Sequence, residues 1–307
     1  MAFFVSFNMY RRPEYLQNGD QIVIIAPGGR VKEGGLELAI QELQGWGLKI
    51  EIADHVWQGH DYFSASDKNR LTDLQDAMNS NKYKAVFCAR GGYGLTRIID
   101  QVDFSLLRKW PKWIIGFSDV TTLQLALSSQ KLQSIHAVMP AGFGGADQRS
   151  TENLQNVLFG DHFEIKVATN SKNRKGVTLA RMIGGNLSLL SASIGTKYEV
   201  DTTDRILFIE EIDEYLYKID RMLGQLNRSG KLSNLKGLVV GHMSKLKDTT
   251  VPFGAKIEDL ILDHIAQYDY PVMFDTPTGH EPLNLPIVQE GMYQMEVRRR
   301  GSVLRMI

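Results

Sequence analysis

Ser118 lies in the stretch WIIGFSDVTTL (113–123), where the hydrophobic pattern changes period. Trp113, Ile114 and Ile115 form a short apolar run that reads as the end of a buried strand. Gly116 punctuates it, and Thr121–Leu127 resumes at helical spacing. A strand that re-enters as a helix leaves its turn residue exposed above the sheet. That geometry presents a serine hydroxyl as a nucleophile and places the next backbone N–H, that of Asp119, near a helix N-terminus where an oxyanion can form. Val120 stands where the G-x-S-x-G elbow has its second glycine. The alternative is that Ser118 or Asp119 simply caps the helix.

A hydrolytic serine needs a base and a group to orient that base. Of the seven histidines (His55, His60, His136, His162, His242, His264 and His280), His280 has a distinctive setting. It ends Asp275-Thr276-Pro277-Thr278-Gly279-His280, a loop after the apolar run Val272–Phe274, and loops carry catalytic residues disproportionately. Glu210 closes the apolar run Ile206–Glu210, and a carboxylate there could fix an imidazole tautomer. It could equally make a strand-end ion pair with Arg181 or Arg221. Glu211, Asp213 and Glu214 crowd the same turn, and residue types do not choose among the four. Acids beside histidines also suit a metal, but no His-x-x-x-His or comparable spacing occurs. No metal or cofactor is expected.

Two glycine loops flank these groups. Arg90-Gly91-Gly92-Tyr93-Gly94 follows the apolar run Ala85–Cys88, and its glycines either make a tight strand-to-helix connection or offer backbone N–H groups to an anionic or carbonyl oxygen. Ala26-Pro27-Gly28-Gly29 ends the run Gln21–Ala26 without the G-x-G-x-x-G spacing of a dinucleotide site.

The elements that must position these residues alternate strand and helix, which predicts an α/β fold, a parallel sheet with helices on both faces. Ligands of such sheets collect at the carboxyl ends of the strands, where APGG, RGGYG and FSD would all lie. Leu36, Ile40 and Leu43 share a helix face closed by Gly45 and Gly47, and Ser66 suits a cap for a helix carrying Leu71, Leu74 and Met78. Ser134–Val138 reads as a further strand. ATNSKNRKG (168–176) is polar and basic and marks a linker or exposed hairpin. The expected division is a first domain over 1–165, a linker over 166–176 and a second domain over 177–307. In the second, Gly184-Gly185-Asn186 is expected to open a helix, Tyr217–Leu226 to form one, Leu235–Gly241 to form a strand, and the end of the chain to form a hairpin turned at Arg300-Gly301.

Composition narrows the class. Hydrophobic residues make up 43% and charged residues 23% of 307, typical of a globular chain. Lys+Arg and Asp+Glu each number 35, so the charge balance points to neither nucleic acid nor a membrane surface as partner. The single cysteine, Cys88, excludes an intramolecular disulfide. The opening MAFFVSFNMYRR has its positive charges after the apolar part, the reverse of a secretory signal, so a cytoplasmic location is expected.

Taken in order, RGGYG (90–94), GFSDVT (116–121), GGNLSLL (184–190), LFIEEIDEYLYKIDRML (207–223) and PTGH (277–280) resemble the LD-carboxypeptidase family of serine peptidases, which includes the microcin-immunity peptidases. The resemblance runs from about Gly19 to the C-terminus. It implies a Rossmann-like N-terminal domain joined to a smaller α/β C-terminal domain, with the site in the cleft between them. It also implies a Ser118–Glu210–His280 triad, with backbone N–H groups of Gly92 and Asp119 as the oxyanion hole. Arg90, Gly91 and Tyr93 then become candidate substrate contacts. The implied substrate is a muropeptide tetrapeptide losing its terminal D-alanine in peptidoglycan recycling, and the implied assembly is a homodimer. A peptidyl-nucleotide antibiotic is the alternative substrate, for which Trp57, Tyr62 or Tyr93 could stack a base. A non-enzymatic anion-binding module is the alternative class. The family often has His-Gly-Pro where this chain reads His136-Ala137-Val138-Met139-Pro140, so substrate preference is expected to differ there.

Overall fold

The structure is a computed structural model that describes residues 10–307. The apolar opening on which the signal-sequence reading rests lies mostly outside the described residues.

The first apolar runs become β1 (Gln21–Ile25), β2 (Lys49–Ile52), β3 (Ala85–Cys88), β4 (Trp113–Gly116) and β5 (Ser134–His136). They pair in parallel in the order β2-β1-β3-β4-β5. Parallel neighbours need crossovers, which carry α1 (Glu37–Gly45), α2 (Asp67–Asn79), α3 (Ser105–Lys109) and α4 (Thr121–Ser129). β3 and β4 are buried at every residue. That is why their sequences are continuously apolar and not alternating. Ser66 caps α2, its Oγ accepting from the Asn69 N–H at 3.2 Å.

After α5 (Gln148–Phe159) the chain enters a second sheet through β6 (Glu164–Val167) and β7 (Gly176–Asn186). It continues through α6 (Leu187–Ser193), β8 (Arg205–Ile212), α7 (Leu216–Arg228), β9 (Gly237–Ser244), α8 (Ile257–His264) and β10 (Val272–Met273). The last strands are β11 (Ile287–Gln289), β12 (Met292–Arg298) and β13 (Gly301–Met306). The second sheet has the order β10-β9-β8-β7-β12-β13-β6, parallel from β7 to β10 and antiparallel through β12, β13 and β6.

The two halves interleave. β6 precedes the polar segment 168–176 yet belongs to the second sheet. β11 leaves the second half to pair antiparallel with β5, Ile287 opposite His136, as the edge of the first sheet. One apolar core spans both, with Ile24, Phe87 and Trp113 of the first sheet in the same buried cluster as Phe208, Val239 and Met295 of the second. A buried ionic group reinforces the junction. The Glu290 carboxylate, fully buried between β11 and β12, accepts from Arg205 Nε (3.1 and 3.2 Å) and from Ser128 Oγ at the end of α4 (2.6 Å).

Gly184 and Gly185 differ from expectation: they end β7, and the helix begins only at Leu187, capped by the Asn186 side chain at 3.3 Å. The reason is close approach. A Cβ on Gly185 would lie 2.6 Å from Thr121 Oγ1, so small residues here let β7 pass against α4. β5 is shorter than its apolar run, ending at His136 and not at Val138. Among the described residues no helix is long and apolar enough to cross a membrane.

Candidate active site

Ser118 opens a single 3-10 turn, Ser118–Val120, between β4 and α4. Its φ is +63°, in the left-handed region, a conformation that costs a residue with a side chain roughly 1–3 kcal/mol and clusters at functional sites. The absent second glycine has a packing explanation: Val120 is buried against Gly116, where any Cβ would stand 2.8 Å from Val120 Cγ2. The helix-cap alternative is not what forms, since no side chain caps this turn or α4. The Asp119 carboxylate instead turns to the other glycine loop, Oδ2 accepting from the Leu95 N–H at 3.0 Å.

The loop Arg90–Gly94 lies directly against the serine. A Cβ on Gly91 would stand 3.0 Å from Ser118 Cβ and 3.2 Å from its Oγ. Gly92 follows with φ +93°. Among the described residues neither the Gly92 N–H nor the Asp119 N–H donates to another backbone or side-chain group. Arg90 is occupied in part by the loop beside it, Nη1 donating to the Arg30 carbonyl at 2.7 Å. Tyr93 is exposed, its ring 6.1 Å from Phe63.

The second half supplies an acid and a histidine. His280 Nδ1 meets Glu210 Oε2 at 2.6 Å. The Phe117 ring, one residue before Ser118, packs on the His280 ring with centroids 4.7 Å apart. Nδ1 is therefore engaged, and Nε2 is left for chemistry. The histidine loop is held by backbone: Thr276 N–H donates to Val240 O at 3.1 Å and His242 N–H to Thr278 O at 2.8 Å. The Gly279 N–H donates to Asn284 Oδ1 at 2.9 Å. It docks where the β8–β9 register shifts between Ile209 and Glu211, the kind of bulge that re-aims a side chain beside an active site.

The four acids at the end of β8 separate cleanly. Glu210 takes His280. Glu211 accepts from Asn186 Nδ2 (2.9 Å) and from the Ser188 N–H (2.8 Å) and Oγ (2.7 Å), which fixes the start of α6. Asp213 pairs with Lys247 at 2.8 Å and Glu214 with Lys218 at 3.2 Å. Neither Arg181 nor Arg221 pairs with Glu210: Arg181 donates to the Glu290 carbonyl at 2.7 Å, and Arg221 lies over the Tyr217 ring. Complete burial pushes the Glu210 carboxyl up. The hydrogen bond from His280 opposes that, and neighbouring Glu211 adds to it.

His136 has no sequence setting that points to chemistry, yet its ring packs in this cluster. It is fully buried, 5.5 Å from the Phe117 ring and edge-on to Phe208 at 5.1 Å. Burial lowers its pKa to about 3, so the ring is neutral. Its position within the unusual His136–Pro140 segment was the one available signal.

Serine, histidine and carboxylate with free backbone donors are the parts of an acyl-transfer centre. Residues 22–137 match the LD-carboxypeptidase N-terminal domain, and residues 180–295 the LD-carboxypeptidase C-terminal domain. The chain belongs to the LD-carboxypeptidase family. As a member of that family it is a carboxypeptidase. It is 32% identical over 282 residues to a probable murein peptide carboxypeptidase of Bacillus subtilis (strain 168), covering 89% of this chain and 88% of that one. It superposes on the crystal structure of muramoyltetrapeptide carboxypeptidase from Oxalobacter formigenes with a TM-score of 0.86 and 28% identity, over 93% of this chain and 98% of that one. A microcin self-immunity protein in complex with aspartyl sulfamoyl adenosine shares the LD-carboxypeptidase fold, with a TM-score of 0.83 at 16% identity, covering 95% of this chain and 98% of that one.

Proposed function

We propose that the protein is a serine LD-carboxypeptidase that hydrolyses the amide bond between an L-configured centre and a terminal D-alanine of a muropeptide tetrapeptide. The observation that carries this is the pairing of His280 with the buried Glu210, its ring packed on Phe117, the residue before a serine at φ +63°. In this mechanism His280 Nε2 takes the Ser118 proton as Oγ attacks the scissile carbonyl. Glu210 holds the tautomer that leaves Nε2 basic and stabilises the imidazolium that forms. The backbone N–H groups of Gly92 and Asp119 receive the developing oxyanion. His280 then protonates the leaving amine, D-alanine departs, and water activated by the same imidazole releases the acyl-enzyme. Arg90 and Tyr93, exposed at the rim, with Gly91 beside them, contact the substrate. The terminal carboxylate suits a guanidinium. We place the reaction in cytoplasmic peptidoglycan recycling, carried out by a homodimer.

The test is release of D-alanine from a purified tetrapeptide muropeptide by wild type and Ser118→Ala side by side. Release by wild type that vanishes in the variant is the expected outcome. Equal release by both would remove Ser118 as nucleophile. A second reading, cleavage of a peptidyl-nucleotide, draws on the exposed Trp57, Tyr62 and Tyr93. Faster turnover of such a compound than of the tetrapeptide would favour it.

A further inference from the structure

The two proposed oxyanion donors belong to different segments, Gly92 to the loop after β3 and Asp119 to the turn after β4. The β3–β4 ladder runs through Ala85–Trp113, Val86–Ile114 and Phe87–Ile115 and ends before either donor. β1 holds β3 as far as Cys88 and β5 holds β4 as far as Gly116; beyond those residues no strand pairing fixes how far apart the two N–H groups stand. An oxyanion hole works only when both donors lie about 2.7–3.1 Å from the same oxygen, so something else must set that spacing.

We infer that the Asp119 side chain sets it, acting as a positioning residue distinct from the donor role of its own backbone N–H. This rests on the reading of Ser118 as the nucleophile. Asp119 is 1% exposed, and of its two carboxylate oxygens Oδ2 accepts from the Leu95 N–H at 3.0 Å, three residues past Gly92, while Oδ1 has no partner among the described residues. One residue thus carries a donor on its backbone and, through its side chain, grips the segment that carries the other. The loop 26–29 completes the clamp. The Gly29 N–H donates to the Gly91 carbonyl at 2.8 Å, and a Cβ on Gly28 would lie 3.0 Å from Asp119 Oδ2 and 2.8 Å from Gly91 O. Behind the loops Arg70, fully buried, donates to the Pro27 carbonyl and pairs with Asp67 at 2.5 Å. A Cβ on Gly94 would stand 2.6 Å from its Nη1.

The energetics separate this role from plain packing. A buried carboxylate is costly unless it is bonded; burial pushes the Asp119 carboxyl up, and the Leu95 and Gly94 N–H groups and Arg70 draw it back. Filling the space would need no charge. An acceptor aimed at Leu95 is needed only if the loop has to be held in register. A misplacement of about 1 Å costs on the order of a hundredfold in rate, and it is felt in the transition state more than in substrate binding.

The experiment compares Asp119→Ala, Asp119→Asn and Ser118→Ala in D-alanine release over a range of tetrapeptide concentrations. Labelling rates with a fluorophosphonate probe report on the serine and its oxyanion donors independently of substrate. Asp119→Ala is expected to lower kcat by about tenfold to a hundredfold with KM nearly constant, and to slow labelling in parallel. Asp119→Asn, whose amide oxygen still accepts from Leu95, is expected to recover most of that loss. Asp119→Ser replaces the alanine variant if the latter does not fold. The clamp is overturned if Asp119→Ala (or Asp119→Ser in its place) matches wild type, if Asp119→Asn is as impaired as it is, or if the loss lies in KM. Wild-type labelling and turnover that persist in Ser118→Ala would instead overturn the nucleophile reading beneath it.

Discussion

Gly91 and Ser118 are packed so closely that a Cβ on residue 91 would fall 3.0 Å from Ser118 Cβ and 3.2 Å from Oγ, so the serine side chain would have to shift to admit it. The φ of Gly91 is not in the left-handed region, so alanine meets no backbone penalty there and its methyl presses chiefly on Ser118, with Met139 Cε next at 3.4 Å. Gly91→Ala is expected to reduce kcat by about a hundredfold while the melting temperature falls only slightly. Gly145→Ala, with open space around its Cβ, serves as the control. Equal activity of the two variants would separate Gly91 from the site.

Glu210→Gln keeps the size of the side chain but offers an amide that can turn its NH2 to His280 Nδ1, placing the ring proton on Nε2. The rate is then expected to fall by about a thousandfold or more, with KM little changed. Steady-state kinetics check this. A loss of less than about tenfold would mean that the 2.6 Å contact orients nothing that matters to catalysis.

His136 gives the fold an acid limit. An unfolded histidine takes up a proton as pH falls below about 6.5, whereas the buried ring resists until about 3. The lowered pKa therefore contributes stability fully above the unfolded value, and that contribution is lost progressively as pH falls from there toward the folded one. At 1.36 kcal/mol per unit the window spans on the order of 5 kcal/mol. His136→Gln should flatten the pH dependence of urea unfolding across this window. An unchanged slope would show that another group dominates.

Glu290→Ala removes the fully buried one of Arg205's two carboxylate partners, leaving the half-exposed Asp201 at 3.2 Å, and takes the acceptor from Ser128 Oγ. Breaking such a pair costs about 3–5 kcal/mol, a large share of a typical domain's stability. Equilibrium urea unfolding should show this drop, and replacing Arg205 and Glu290 together with methionine and leucine should cost clearly less.

Much of the fold is legible in the sequence. Strands such as β3 and β4, buried on both faces, announce themselves as unbroken apolar runs, and the glycine and proline signals at 90–94 and 275–280 mark the loops that lie beside Ser118 and Glu210. Glu210 and Glu211 show where legibility stopped. Consecutive strand residues point to opposite faces, so one meets His280 and the other the start of α6, but which face holds the histidine depends on pairing far along the chain. Family resemblance selected Glu210; residue types did not. Gly184 and Gly185 misled for a related reason, since their closeness to Phe208 and Thr121 is a tertiary fact. Asp119 looked like a cap because its partner, Leu95, lies on a separate loop.

The antiparallel strand at the edge of the first sheet has a consequence for synthesis. β11 lies near the end of the chain, yet it seals the edge of β5. A growing polypeptide therefore exposes that edge on the ribosome until residues 287–289 have been made. The serine-bearing half completes its sheet only once the segment carrying His280 has already emerged. Translation order thus couples closure of the sheet that carries Ser118 to the arrival of Glu210 and His280, both of which precede β11 in the chain.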